Sequence, residues 1–348
     1  MKSPRKSMAN AKIYNIYNEG RETKIRLDLN ENAWGCSPKI LQTIRHASLS
    51  DISLYPAYDS LINKLAQFYQ VGQDKVIISN GADDSIRCVF DCFVEAGDEI
   101  LLPVPNYGMF DIFSRIRGSK TIELLYNEDF SFPTQKLLDL ISQKVKLIII
   151  VNPANPLGTV IAEQDLLEIL ETASNSLVLL DETYFHFTGK TYLPLIEQFD
   201  NLIIVQTFSK AYGLTGLRLG MLFSTAQNIH NLSKINLPFA VNKLALKAGQ
   251  VALEDQDFIN QVVKNVAVET EFLQKELQKL GIETRAGKTN FLLMKIGGRA
   301  DDVYQQLQSR GILLRNLSKY PLLHGYLRIS IGKREDNLKL VDQLRQIF

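Results

Sequence analysis

Short runs of apolar, often β-branched residues alternate along the chain with longer stretches whose apolar positions recur every three or four residues. The runs predict strands at Val76–Ser79, Glu99–Pro103, Thr121–Leu125, Leu147–Val151, Leu177–Asp181, Leu202–Thr207 and Leu219–Phe223. The helical spacing between them predicts helices, among them Ser60–Tyr69, Asp83–Phe93 and Gln164–Ala173. Leu147-Ile-Ile-Ile-Val151 is apolar without a break, as expected of a central strand covered on both faces. The alternation argues for a layered α/β domain with a largely parallel sheet. Past about residue 240 the texture changes. One long helical stretch runs from about Asn242 to Leu280, followed by strand-like Asn290–Lys295, Ile312–Arg315 and Leu327–Ile331 with a helix before and after. This predicts a second, smaller α+β unit, which the residues before about 40 join unless they lie over the first.

A length of 348 residues suggests two domains, or one large domain with an appendage. Lys and Arg number 39 against 38 Asp and Glu, so the formal charge of +1 offers no bulk field for nucleic acid or a membrane surface. No stretch approaches the roughly 20 apolar residues of a membrane helix. The N-terminus is locally basic at Lys2, Arg5, Lys6 and Lys12 but lacks the apolar core of a signal peptide, and it reads as a short irregular lead. Cys88 and Cys92 lie four apart in a helical pattern and could share a face. Without further Cys or His spacing they read, with Cys36, as free thiols suited to a reducing cytoplasm. His46, His186, His230 and His324 are scattered, so no metal is expected. No Gly-x-Gly-x-x-Gly follows an early strand, which argues against a dinucleotide enzyme.

The informative feature is polar residues at the C-terminal ends of predicted strands, where open α/β sheets bind ligands. Lys210 follows an apolar strand in Val205-Gln-Thr-Phe-Ser-Lys-Ala-Tyr-Gly213. Its amine becomes nucleophilic only where neighbours or burial lower its pKa, and a solitary lysine in such a turn is usually just solvated. Asp181 ends Leu177-Val-Leu-Leu-Asp181; an acid after four apolar residues needs a cationic partner, such as a protonated pyridine nitrogen, or else caps a helix. Tyr184, three residues on, reaches the same region or simply packs. Asn155 lies in the rigid turn Asn152-Pro-Ala-Asn-Pro-Leu-Gly158. Gly81 precedes Ala82 and Asp83 at a predicted helix start, whose N–H groups suit an anion, although Asp83 could equally be a cap. Arg218, eight residues after Lys210, supplies a planar fork for a phosphate.

Taken together, the pattern resembles the fold-type-I, class II aminotransferases that depend on pyridoxal 5'-phosphate, and within them the histidinol-phosphate aminotransferase family. The resemblance runs from about residue 25 to the end. It rests on Leu29-Asn-Glu-Asn32, Tyr55-Pro56, Gly81-Ala-Asp83, Pro105-Asn-Tyr107, Asn155-Pro-Leu-Gly158, Asp181-Glu-Thr-Tyr184, Phe208-Ser-Lys-Ala-Tyr-Gly-Leu-Thr-Gly-Leu-Arg218 and Leu327-Arg-Ile-Ser-Ile-Gly332. It implies an N-terminal arm over 1–40 contributing to the small domain, a large cofactor-binding domain over 41–240 and a small C-terminal domain over 241–348. It implies that Lys210 carries the cofactor and shuttles the proton, and that Asp181 pairs with the ring nitrogen. Tyr184 and Asn155 would bind the ring oxygen, with Tyr107 stacked on the ring. Thr207, Ser209, Arg218 and the amides of Ala82 and Asp83 would hold the phosphate. Tyr55 would reach the partner subunit's site in a homodimer. Arg328 would grip the substrate carboxylate, and Arg315 a second anion. The sequence departs from the family pattern at Ala33 and Trp34 in Asn30-Glu-Asn-Ala-Trp-Gly35, at Thr183, at Asp84, and at Gln206, where an arginine is common.

The expected activity is amino transfer between glutamate and 2-oxoglutarate and a small amine or amino acid, histidinol phosphate first, as a cytoplasmic step in histidine biosynthesis. Two alternatives stand beside it. One is a threonine-phosphate decarboxylase, or another enzyme of the same cofactor, since pocket geometry decides which bond breaks. The other is a non-catalytic aminotransferase-like binding protein, which usually loses the lysine that is present here. Tyr14 or Tyr17 is a candidate to fold over the site.

Overall fold

The computed structural model describes residues 20–348 together with Met8; the basic lead residues Lys2, Arg5, Lys6 and Lys12, and Tyr14 and Tyr17, lie outside the described residues. Seven strands form the large sheet: β1 (Val76–Ser79), β2 (Glu99–Val104), β3 (Lys120–Leu125), β4 (Val145–Val151), β5 (Leu177–Asp181), β6 (Leu202–Thr207) and β7 (Gly220–Phe223). Their spatial order is β1-β7-β6-β5-β4-β2-β3. All neighbours pair parallel except β7, which runs antiparallel to both β1 and β6.

The alternation within each strand explains the layering. In β4, Ile148 and Ile150 enter the core on one face, while Leu147, Ile149 and Val151 enter the core on the other. The same split holds for Val178 and Leu180 against Leu179, and for Leu202 and Ile204 against Ile203 and Val205. A stretch of strand buried on both faces has to be apolar at consecutive positions, as residues 147–151, 177–180 and 202–205 are. The helix α1 (Ala82–Phe93) covers one face with Ile86, Val89 and Phe90. The helix α2 (Lys243–Glu254) covers the other with Ala245, Leu246, Ala248 and Leu253.

The single helix expected over 242–280 is two. α2 ends at Glu254 and α3 runs Gln256–Lys279, with Asp255 at φ −105°, ψ 56° between them. The Asp255 carboxylate is engaged by the Ser37 hydroxyl and by Lys39 Nζ at 2.7 Å, which fixes the break. The boundary expected at 240 also moves. All of α2 and Ile259 of α3 belong to the large core, whereas Val262, Val266, Leu273 and Leu277 belong to the smaller one. The chain passes from one core to the other inside α3, near residue 260.

The smaller core lies under a second sheet of β8 (Glu283–Ala286), β9 (Phe291–Lys295), β10 (Arg315–Asn316) and β11 (Tyr326–Ser330), in the order β10-β11-β9-β8 and antiparallel throughout. The run Ile312–Arg315, expected as one strand, is divided. Ile312 and Leu313 pair in parallel with Ile25 and Arg26 of the N-terminal arm, and Arg315 pairs in β10. The arm is fixed further by Ser330 N–H donating to the Leu27 carbonyl at 2.8 Å, and by a bidentate pair from Arg21 to the Asp28 carboxylate at 2.7 and 2.9 Å. Among the described residues no helix is long and apolar enough to cross a membrane.

Candidate active site

Parallel strands deliver their following loops to one edge of the sheet, and that edge carries a cavity of about 410 Å³. Asp181 ends β5, Thr207 ends β6 with Lys210 just beyond, Asn155 follows β4, and Tyr107 follows β2. The antiparallel β7 begins where its neighbours end, so Arg218, just ahead of it, arrives at the same edge. Ala82, Asp83, Tyr184, Ser209, Arg315 and Arg328 line the cavity too. Tyr55 alone of the expected residues is elsewhere: it is exposed, with its ring 4.3 Å from that of Phe239.

Lys210 is half-buried, with its amine in the interior, and Nζ donates to the Leu29 carbonyl at 3.0 Å. Burial, reinforced by the nearby Arg328 charge, pushes its ammonium down to about 8, so a useful share is the free amine near neutral pH. Asp181 is 4 % exposed, and its Oδ1 accepts the Thr183 N–H at 2.9 Å. Burial pushes its carboxyl up to about 6 despite that bond. It caps no helix: a short 3₁₀ turn over Phe185–Phe187 follows it. A carboxyl raised by burial at the floor of a cavity calls for a cationic partner in the ligand, as a protonated ring nitrogen would be.

The opposite end suits a phosphate. At the start of α1 the Asp84 and Ser85 N–H groups turn back to the Gly81 carbonyl, whereas those of Ala82 and Asp83 donate to no carbonyl among the described residues. Gly81 holds φ 82°, ψ 168°, and a Cβ there would meet Arg218 Nη2 at 2.5 Å. Arg218 itself sits at φ 54°, a left-handed conformation rare for its residue type. Its Nη2 pairs with Asp83 at 3.2 Å, and Tyr107 donates its hydroxyl to the other oxygen of Asp83 at 3.0 Å. Asp83 therefore orients Arg218 and Tyr107, and Gly81 is the N-cap. Thr207 accepts the Ser209 N–H, and Ser209 in turn accepts the Thr215 hydroxyl at its carbonyl.

Arg315 and Arg328 stand directly opposite each other across β10 and β11. Like charges in such a pair repel, and an anion between or beside them relieves the repulsion. Arg328 donates to the Asn155 side-chain oxygen at 2.6 Å and to the Asp28 carbonyl at 2.8 Å, over the face of Phe291. The Asn155 bond occupies that side-chain oxygen and leaves the amide nitrogen as the donor end of the side chain. Four cations (Lys210, Arg218, Arg315, Arg328) face two carboxylates (Asp83, Asp181), so the cavity favours anionic ligands.

Some lining residues received no role from the sequence, among them Asn30, Asn106, Thr215 and Tyr320. Asn30 lay within a quoted motif, and Thr215 within the stretch from Lys210 to Arg218. Nothing local to Tyr320 marks it. His186 instead packs on Tyr212 and Phe185, where burial pushes its imidazolium down to about 3. The departure at Gln206 is explained locally: the amide donates at 2.8 Å to Glu182, a carboxyl that burial pushes up to about 7.

The sequence model for "Aminotransferase class I and II" matches residues 22–344. A histidinol-phosphate aminotransferase of Caldanaerobacter subterraneus is 34% identical over 330 residues, covering 93% of both chains. One from Ruminiclostridium cellulolyticum is 30% identical over 340 residues, covering 95% of both. Among solved structures, the histidinol-phosphate aminotransferase of Sinorhizobium meliloti in complex with pyridoxal-5'-phosphate superposes with a TM-score of 0.91 at 24% identity, over 100% of this chain and 99% of that one. L-threonine-O-3-phosphate decarboxylase from Porphyromonas gingivalis superposes at 0.81 with 20% identity, over 93% and 99%. At those identities the structures establish the fold, fold type I; the sequence matches over nearly the whole chain establish that it belongs to the class I and II aminotransferases, with the histidinol-phosphate aminotransferases, and is a pyridoxal-phosphate-dependent transaminase.

Proposed function

We propose that this transaminase exchanges an amino group between glutamate and histidinol phosphate, 2-oxoglutarate being the keto acid returned. The observation behind the choice is the pair Arg315 and Arg328, aimed from adjacent strands into the cavity that holds Lys210. Two guanidinium groups suit substrates that end in an anion, a carboxylate in one half-reaction and a phosphate in the other.

When bound, pyridoxal phosphate supplies a carbonyl that reacts with amines and a ring that takes up the electron pair left on a substrate carbon. The protein's share follows from the side chains. Lys210 would be the attachment point; its amine, once free, would take the proton from the substrate carbon and deliver it to the carbon on the far side of the amino nitrogen, two atoms away. Asp181 balances the charge of the ring nitrogen, and Tyr184 and the Asn155 amide donate to the ring oxygen. Tyr107 stacks on the ring. Arg218, Thr207, Ser209 and the Ala82 and Asp83 amides hold the phosphate. Arg328 takes the carboxylate and Arg315 the second anion.

A homodimer in the cytoplasm, with Tyr55 reaching the partner's site, belongs to the same proposal. Leu49, Ile52, Leu54, Tyr55, Leu237 and Phe239 are large, apolar and exposed, which suits a covered surface. Purified protein given histidinol phosphate and 2-oxoglutarate should release glutamate without carbon dioxide. Carbon dioxide from threonine phosphate, with no glutamate formed, would favour the decarboxylase reading instead. Sedimentation as a monomer would remove Tyr55 from the site.

A further inference from the structure

We propose that Asn30, on the N-terminal arm, is a positioning residue that dictates which way the Tyr184 hydroxyl gives its proton. Asn30 is 1 % exposed and Tyr184 2 %, so neither has bulk water to fall back on. Asn30 Nδ2 lies 2.8 Å from the Tyr184 oxygen.

The direction of that bond is fixed from the far side. The backbone N–H of Asn30 donates to Ser330 Oγ at 2.8 Å. The Ser330 hydroxyl lies 3.1 Å from Asn30 Oδ1 and gives its own proton there. The side-chain oxygen of Asn30 is thereby committed to Ser330, and only the NH₂ end can face Tyr184. An amide NH₂ has no lone pair to offer in a hydrogen bond, so the phenol oxygen must accept from it. The phenolic proton cannot go to Asn30. It is left for an acceptor other than Asn30, and Tyr184 lines the cavity.

The backbone of Asn30 is held just as firmly. Asn290 Nδ2 donates to its carbonyl at 2.9 Å, and its φ is 55°, a left-handed conformation that asparagine tolerates better than most residues. Ser330 and Asn290, from two parts of the small unit, both bond to Asn30 on the arm, and Asn30 alone passes the constraint to the hydroxyl of Tyr184 in the loop after β5. Arm and small unit together thus set the polarity of a donor that belongs to the large sheet. Asn30 is thus held at its backbone N–H, its carbonyl and both ends of its side chain, and a residue held at so many points resists reorientation.

The inference rests on Tyr184 serving the ring oxygen as proposed above, and the test separates the two. The holoenzyme without substrate is titrated with acid and base while the absorbance of its bound pyridoxal phosphate is followed. A donor at the ring oxygen favours the deprotonated form, so losing it raises the titration midpoint. Tyr184→Phe should raise it by about one pH unit, tenfold in proton affinity. Asn30→Asp replaces the NH₂ by an acceptor that draws the phenolic proton to the arm, and should raise it comparably. On a Tyr184→Phe background Asn30→Asp should add almost nothing. Asn30→Gly, which adopts the left-handed backbone freely, covers the case in which the aspartate does not fold; it should raise the midpoint by roughly half a unit. An unmoved midpoint in Asn30→Gly, or an Asn30→Asp shift that recurs in full without the phenol, overturns the inference. An unmoved midpoint in Tyr184→Phe overturns the role of Tyr184 and the inference with it.

Discussion

The end of the cavity proposed above for the phosphate is packed around the missing Cβ at Gly81, which makes Gly81→Ala a quantitative test. Two separate effects are expected. The backbone at φ 82°, ψ 168° lies in a region that is essentially glycine's own, so an alanine there strains the folded protein by about 1–3 kcal/mol. The new methyl would also stand 2.5 Å from Arg218 Nη2 and 3.0 Å from its Cζ. An ordinary contact begins near 3.4 Å, so the guanidinium must retreat by roughly 1 Å. The retreat breaks the fork's alignment on a phosphate, and a hydrogen bond between charged groups contributes about 1.5–3 kcal/mol. Affinity for pyridoxal phosphate should fall about 10- to 100-fold. Urea unfolding of the cofactor-free protein reads the first effect, and equilibrium dialysis against pyridoxal phosphate reads the second. If stability falls as expected while the Kd stays within threefold of the parent, Arg218 does not bind the phosphate and the assignment of that end is wrong.

Asp181→Asn should have opposite effects on the two states. The buried carboxyl titrates near 6 when folded against 3.8 as a free side chain, so the folded state binds the extra proton between those values and stability declines as pH rises through them. Removing the charge should stabilise the cofactor-free protein at pH 7 by an amount on the order of 3 kcal/mol, read by urea unfolding, while weakening cofactor binding and all but abolishing turnover. The Lys210 ammonium is depressed, with the reverse sign: the folded state has lost a proton between about 8 and 10.5 that the unfolded chain keeps, so its contribution to stability grows with pH across that window. Borohydride trapping of pyridoxal phosphate on the enzyme should accordingly rise with a midpoint near 8; a midpoint near 10 would place the amine in water. Arg21→Leu leaves the buried Asp28 carboxylate without its bidentate partner and loosens the carbonyl that Arg328 holds. Steady-state kinetics should show KM for the amino donor rising by more than kcat falls, and an unchanged KM would mean that the pair serves stability alone.

The parts of the fold that the sequence made legible are those where one physical cause dominates. Leu177–Asp181 and Leu202–Thr207 are strands buried on both faces, and continuous apolar runs have few other uses. Asp181 and Lys210 stood out because polar groups follow such runs at the ligand-bearing edge. The strand Glu283–Ala286 was missed because it is a partly exposed edge whose Glu-Thr-Arg-Ala carries no apolar alternation. Ile312–Arg315 looked like one strand because only tertiary pairing bends it, giving two residues to the arm and one to β10. The break at Asp255 was hidden by apolar spacing that runs on from Leu253 to Ile259, and the groups that hold it, Ser37 and Lys39, lie more than two hundred residues earlier. Asn30 was visible as part of a motif, but its partner Tyr184 is 154 positions away, and no local pattern encodes a hydrogen bond of that span.

Three consecutive arm residues touch three functional groups that come from different parts of the chain. The Asp28 carbonyl accepts from Arg328, the Leu29 carbonyl from Lys210, and the Asn30 amide donates to Tyr184. A ligand reaching Lys210 therefore competes with a bond already made, and one reaching Arg328 meets a guanidinium whose two Nη atoms already donate to neutral oxygens. The net gain from swapping one neutral acceptor for another is small, since donor and geometry are unchanged. A carboxylate in place of the Asp28 or Asn155 oxygen converts a charge–dipole bond into a charge–charge one, which is about twice as strong. A neutral molecule of the same shape gains nothing comparable. By offering Lys210 and Arg328 only neutral carbonyl oxygens, the arm leaves both groups with more to gain from a ligand that brings a full negative charge.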